Sequence, residues 1–134
     1  MDFIGSKVAL LCDGAILTCL RNDLPGLRYA NWWDLPDGRR EGQEEFGLRL
    51  AEDRLIWAQI FPAMIDHRQN TWLFGSHLTR GEIATIRFGD EGQRWEMMPL
   101  PRFLAHPRVI PAKRARTAVF LASQRPMPQS AAPI

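Results

Sequence analysis

The chain has 134 residues, with 17 Lys plus Arg against 15 Asp plus Glu and a formal net charge of +2. At roughly 150 residues per domain, that length predicts a single domain over 1–125, followed by a disordered tail over 126–134 that holds Pro126, Pro128 and Pro133. The near-neutral balance argues against a dedicated nucleic-acid binder, 46% hydrophobic and 24% charged residues exclude wholesale disorder, and no apolar run reaches the roughly 18 residues of a membrane helix.

The first residues, Met1-Asp2-Phe3-Ile4-Gly5, have neither the basic start nor the apolar stretch of a signal peptide. Lys7 to Cys12 then reads as a buried strand, Asp13-Gly14 as a hairpin turn, and Ala15 to Leu20 as the returning strand. Cys12 and Cys19 lie in these apolar runs, where a thiol behaves as a small hydrophobe. A cytoplasmic protein with reduced thiols is the expectation. Asn22 to Arg28 reads as a loop around Pro25 and Gly26, and the aromatic run Tyr29 to Leu35 as extended chain ending at Pro36.

A charged, glycine-containing stretch from Asp37 to Asp53 follows. Beyond it, Arg54 to Ile65 and Asn70 to Leu78 carry the β-branched and aromatic residues of strands. Thr79 and Glu82 have the spacing of a capping box that opens a short helix through Ile86. Gly89 to Gly92 turns into a strand at Arg94 to Met98, Pro101 to Ala105 is one helical turn, and Ala112 to Ser123 has helical periodicity. Together these predict one α+β domain with a mixed sheet.

The chemistry concentrates in Trp33-Asp34-Leu35-Pro36-Asp37-Gly38-Arg39-Arg40-Glu41-Gly42-Gln43-Glu44-Glu45-Phe46-Gly47-Leu48. This stretch resembles the Nudix family, whose box runs G-x5-E-x7-R-E-U-x-E-E-x-G-U with U a bulky aliphatic. Gly38, five residues and Glu44 reproduce the front of the box, and Glu44-Glu45-Phe46-Gly47-Leu48 reproduces its end. The halves share Glu44, so about a dozen residues, the body of the catalytic helix, are absent between them. An ungapped match fails, because it puts the family's paired glutamates on Ile56-Trp57. Either the helix is truly deleted, or the sequence is joined across residues that the full protein contains; the intact flanks favour the second.

The resemblance implies an α/β/α sandwich around a mixed sheet and hydrolysis of a nucleoside diphosphate linked to another moiety, by metal-activated water. A diphosphate needs a hard cation with oxygen ligands, here Mg2+, with Mn2+ as an alternative. Glu44 and Glu45 are the implied metal ligands and catalytic carboxylates, and Glu91, in a stretch resembling the approach to the last family strand, is the candidate general base. Gly38 would shape the phosphate loop, Arg40 would orient phosphate, and Arg21, at the end of the second strand, would reach substrate. Trp32 and Trp33 fit core positions, and one of them, Trp33 by preference, could stack on a nucleobase. A homodimer is common in the family.

Other readings are weaker. Glu41, Glu44 and Glu45 also have the i, i+3, i+4 spacing of an exposed helix face. His67, His77 and His106 lack metal-ligand spacing, no G-x-S-x-G is present, and the basic run Arg108, Lys113, Arg114 and Arg116 reads as a solvated helix face. The rival function is a catalytically degenerate Nudix-like module that binds a nucleotide or a protein partner.

Overall fold

A hairpin that splays apart organises the sheet in the computed structural model, which describes residues 5–38, 43–89 and 92–124. The strands are β1 (Gly5–Cys12), β2 (Ala15–Leu20), β3 (Trp33–Asp34), β4 (Leu55–Pro62), β5 (Asn70–His77) and β6 (Arg94–Pro99). The helices are α1 (Arg80–Ala84), α2 (Leu100–Ala105) and α3 (Pro111–Ser123).

β1 and β2 pair only beside their turn, at Leu11↔Ile16 and Cys12↔Ala15. Asp13 and Gly14 both take left-handed φ, 51° and 75°, as a two-residue turn with the twist of a hairpin requires. Past that point each strand finds another neighbour. β1 runs parallel to β5 from Gly5↔Thr71 to Leu11↔His77, and β2 runs antiparallel to β6 along its whole length. Residues 33–38 wedge into the opening. β3 pairs with Cys19 and Leu20 of β2, and the chain then crosses to β1, where Val8 N donates to Pro36 O at 3.0 Å and Gly38 N to Ser6 O at 3.0 Å. β4 closes the far edge against β5, completing a mixed sheet of six strands.

Period-two alternation along β1 and β2 sorts side chains onto two faces. Ala9, Leu11 and Ile16 join Trp33, Leu35, Leu73, Phe103, Val109 and Phe120 under α2 and α3. Val8, Leu10 and Leu17 join Phe46, Leu48 and Leu78 on the opposite face, beneath α1 and the chain around 43–50. Helix and strand layers therefore form the α+β arrangement expected of the sequence. Among the described residues, no helix is long and apolar enough to cross a membrane.

The predicted capping box is present, with Glu82 N donating to Thr79 Oγ1 at 3.0 Å and Thr79 N to Glu82 Oε1 at 2.9 Å. The aromatic run over 29–35 is largely not extended. Tyr29 and Asn31 have φ of 59° and 64°, which breaks it into turns and leaves a two-residue strand. The tail over 126–134 lies outside the described residues.

Candidate functional site

The wedge carries a charge into the opening of the hairpin. Asp34 lies next to buried Trp33 and Leu35, and its side chain is only 4% exposed. A buried carboxylate needs partners, and Asp34 has three. Lys7 of β1 donates to Oδ2 at 3.2 Å, Arg21 at the end of β2 donates to the same oxygen at 3.3 Å, and Leu35 N donates to Oδ1 at 2.7 Å. Lys7 Nζ also donates to Leu35 O at 3.2 Å. One acid thus fixes two cations from the two separating strands.

These groups line a cleft of about 150 Å3 shared with Cys19, Pro36, Asp37, Glu45, Phe46 and Phe88. Binding sites for whole drug-sized ligands run roughly 300–1,000 Å3, so this volume suits a compact charged group and not a complete nucleotide. Burial, with the Asp34 charge adding to it, pushes the Cys19 thiol up to about 12. The thiol is therefore neutral, and its Sγ lies 3.7 Å from Asp34 O.

The described box residues from Gln43 to Leu48 form one tight turn. Phe46 N and Leu48 N both donate to Gln43 O at 3.0 Å, and Gly47 N donates to Glu44 O at 2.9 Å. Gly47 has φ of 70°, the left-handed conformation that glycine adopts at no steric cost. Gln43, 8% exposed, ties both ends of the loop: its Nε2 reaches Gly38 O at 3.5 Å, and its Oε1 accepts from Leu50 N at 3.1 Å. Two backbone bonds hook the turn to the segment before β6, Arg87 N to Phe46 O at 3.0 Å and Gly89 N to Glu45 O at 2.7 Å. Phe46 and Phe88 pack across that junction with ring centroids 5.1 Å apart.

Of the residues singled out in the sequence, the cleft brings Arg21 and Glu45 together. Glu44 sits on the exposed side of the turn, 3.9 Å from Arg49. Gly38 closes the wedge on β1 through close packing, since a Cβ there would meet Phe74, Ser6 Oγ and Lys7 O at 3.0–3.1 Å. Trp33 requires a correction: it is 4% exposed within the core, and Arg94 lies over its ring at 5.4 Å. It supports β3 and offers no face to a base. Arg40 and Glu91 lie outside the described residues.

Lys7, Asp34, Asp37 and Gln43 were missed as site residues. The available signal was Lys7, a cation in an otherwise apolar strand, and Asp34 inside an aromatic-apolar run. A lysine and an aspartate 27 positions apart give no spacing cue.

For a hard divalent cation the donor chemistry is right and the number is small. Glu44 and Glu45 supply carboxylates, but no group of three or more His, Cys, Asp or Glu side chains is placed to hold a metal among the described residues. Mg2+ commonly binds through one or two carboxylates plus substrate phosphates. Among the described residues, Glu44 and Glu45 therefore fit a cation that arrives with a diphosphate.

The split hairpin, the wedge and the two covered faces define a sandwich whose charged cleft opens between β1 and β2. Solved structures give that architecture its name. A MutT protein from Methanosarcina mazei Go1 superposes with a TM-score of 0.67 at 15% identity, covering 92% of this chain and 96% of that one. A bifunctional NMN adenylyltransferase/ADP ribose pyrophosphatase from Francisella tularensis, complexed with AMP and a manganese ion, gives 0.67 at 14% identity over 92% of this chain. This chain spans only 42% of that protein's length. The NUDIX domain of NrtR from Shewanella oneidensis, complexed with ADP ribose, gives 0.57 at 13% identity over 89% of each chain. The chain has the Nudix fold. No protein-family model matches it, and neither does any curated protein sequence.

Proposed function

We propose that the protein hydrolyses a nucleoside diphosphate linked to another moiety, with the diphosphate seated in the cleft at the split hairpin. The observation that carries this reading is the cleft's double character. Lys7 and Arg21, held by buried Asp34, line it together with the carboxylates of Asp37 and Glu45. Cations placed this way bind phosphate oxygens through charge-assisted hydrogen bonds, and the carboxylates suit a cation brought with the phosphates. When bound, Mg2+ or Mn2+ supplies charge neutralisation and Lewis acidity at phosphorus. Asp34 orients Lys7 and Arg21, the apolar surround of Phe46 and Phe88 excludes bulk water, and Glu45 and Glu44 are the ligands we assign to the ion. Glu91 as proton acceptor and Arg40 as phosphate contact complete the proposal. AMP and ADP ribose in structures of the same fold support a nucleotide derivative as substrate.

The test is phosphate or nucleotide release from a panel of nucleoside diphosphate derivatives, with and without Mg2+. Metal-dependent turnover that Lys7→Met and Arg21→Met each reduce is expected. A second reading, a binding module without turnover, is favoured by the position of Glu44 beside Arg49. Retained nucleotide binding with no turnover on any substrate establishes it in place of the first. We also propose that the natural protein carries about a dozen further residues between the box halves; a natural mass equal to that of these 134 residues sinks that idea. Light scattering of the pure protein tests the homodimer.

A further inference from the structure

Among the described residues, β4 pairs only with β5 and β6 only with β2, so each has an open outer edge. An unpaired strand edge invites another chain, and natural proteins guard such edges with charges, prolines or bulges. β6 carries Arg94 and Glu96. β4 has no charged residue among its eight, its proline is the last of them, and its irregularity lies at the start, between Leu55 and Trp57. Ile56 is 47% exposed, and Ala58 and Gln59 are exposed beyond it.

The open edge of β4 is complementary to itself. Ala63 N donates to Gln69 O at 2.9 Å, in the register that opposes Phe61 to Thr71 and Gln59 to Leu73. Bonded and non-bonded pairs alternate along an antiparallel ladder. Trp57, Gln59 and Phe61 therefore turn their main-chain groups towards β5, and Ala58 and Ile60 turn theirs outward. Opposed residues in one sheet share a face, so a two-fold axis relating two β4 strands must fall at the level of a residue. At Gln59 it opposes Trp57 to the partner's Phe61, and Ala58 to the partner's Ile60. The outward groups of Ala58 and Ile60 then bond across the seam, with aromatic against aromatic on one face and small against large on the other. An axis at Ala58 would oppose Trp57 to Gln59, and one at Ile60 would oppose Ala58 to Pro62, which has no N–H. Charge agrees with the axis at Gln59. The exposed acids Glu52 and Asp53 precede β4, and this axis directs them towards the far end of the partner's strand. At that end Arg116 donates to Pro62 O at 2.6 Å and meets no carboxylate among the described residues.

We propose that two copies of the chain join edge to edge through β4, with the two-fold axis at Gln59, so that one sheet runs through both. This gives a surface to the homodimer, on which reading it rests, and is independent of the chemistry of the cleft.

Light scattering over a dilution series, together with cysteine cross-linking, tests it. Twice the mass of the chain, falling on dilution, is expected. Gln59→Lys, an exposed change that sets two ammonium groups opposite each other, should weaken association about fivefold and leave the melting of the dilute protein unchanged. Gln59→Cys should give a covalent dimer under a mild oxidant, because opposed Cα atoms at a non-hydrogen-bonded pair stand about 4.5 Å apart, within disulfide range. Ala58→Cys, whose two copies stand out of step, should give little, and the wild type with Cys12 and Cys19 sets the background. A monomer at every concentration overturns the proposal and the homodimer together, whether or not the free edge then takes a strand from another protein. A dimer that withstands Gln59→Lys, or that Ala58→Cys locks and Gln59→Cys does not, keeps the homodimer and overturns this arrangement.

Discussion

The two faces of the sheet are covered by different means. Over Ala9, Leu11 and Ile16 lie α2 and α3, and the contact is close. Phe120 is fully buried, its ring centroid is 5.1 Å from that of Trp57, and a Cβ on Gly75 would run into it. Over Val8, Leu10 and Leu17 lie a five-residue helix, one turn of the box and the chain at 86–88. That cover is held by particular hydrogen bonds, those of Gln43 and the two backbone bonds to Phe46 O and Glu45 O. Both covers bury apolar side chains, but the helix face holds its own backbone shape, whereas the loop cover depends on these few hydrogen bonds to place Phe46 and Leu48. The first arrangement suits a foundation, and the second a site whose geometry must be set residue by residue.

The sharpest way to break this contrast is at Phe120. Phe120→Ala should cost about 3–5 kcal/mol in urea unfolding, and Gly75→Ala about 1–3 kcal/mol through overpacking. A neutral Gly75→Ala would mean that α3 is loosely seated. On the other face, Gln43→Ala should cost about 1–2 kcal/mol and remove hydrogen-exchange protection from Phe46 to Leu50 before the strands lose theirs. Uniform loss across the sheet would contradict a locally held cover. Gly89→Ala separates stability from function, because the clash of its methyl is with the flexible end of the Glu45 side chain, while the Glu45 carbonyl oxygen stays at ordinary contact distance. Melting should change little while Mg2+-dependent binding or turnover falls. A variant with wild-type metal dependence would remove Glu45 from the site.

The smallest effects are those of pH. Burial lowers Lys113 from 10.5 to about 8. Between those values the unfolded chain holds the extra proton, so this residue makes stability rise with pH over that window. Lys113→Met should flatten the rise. Glu82 is lowered from 4.5 to about 2, first by its hydrogen bond from Arg54. That contribution is present above 4.5 and lost as pH falls towards 2, a loss that Glu82→Gln should abolish.

Strand and helix positions were legible where periodicity or a cap declared them: β1, β2, β5, α3 and the Thr79–Glu82 box. Tyr29 to Leu35 misled because β-forming residues there sit on a backbone that two left-handed φ values divide, a tertiary choice that composition does not encode. Of the cleft's lining, the motif pointed to Glu45, and the end of the second strand to Arg21. Lys7 and Asp34 were not legible, because the ion triad around one buried carboxylate joins residues far apart in the chain. Trp33 misled for a related reason, since an aromatic beside a charged motif can serve the core as readily as a ligand.

The splayed hairpin also bears on the order in which the molecule assembles. β1 and β2 meet across a two-residue turn, but their remaining partners stand far along the chain, Thr71–His77 for β1 and Arg94–Pro99 for β2. Closing such distant pairs is slow compared with forming local turns. Until β5 and β6 arrive, the apolar run Val8 to Leu11 has its long edge unpaired, the condition under which chains associate with one another. Lys7 and Asp34, at opposite ends of a much shorter loop, can meet earlier, so the ion triad of the cleft also serves as an early clasp on a hairpin that must wait for its neighbours.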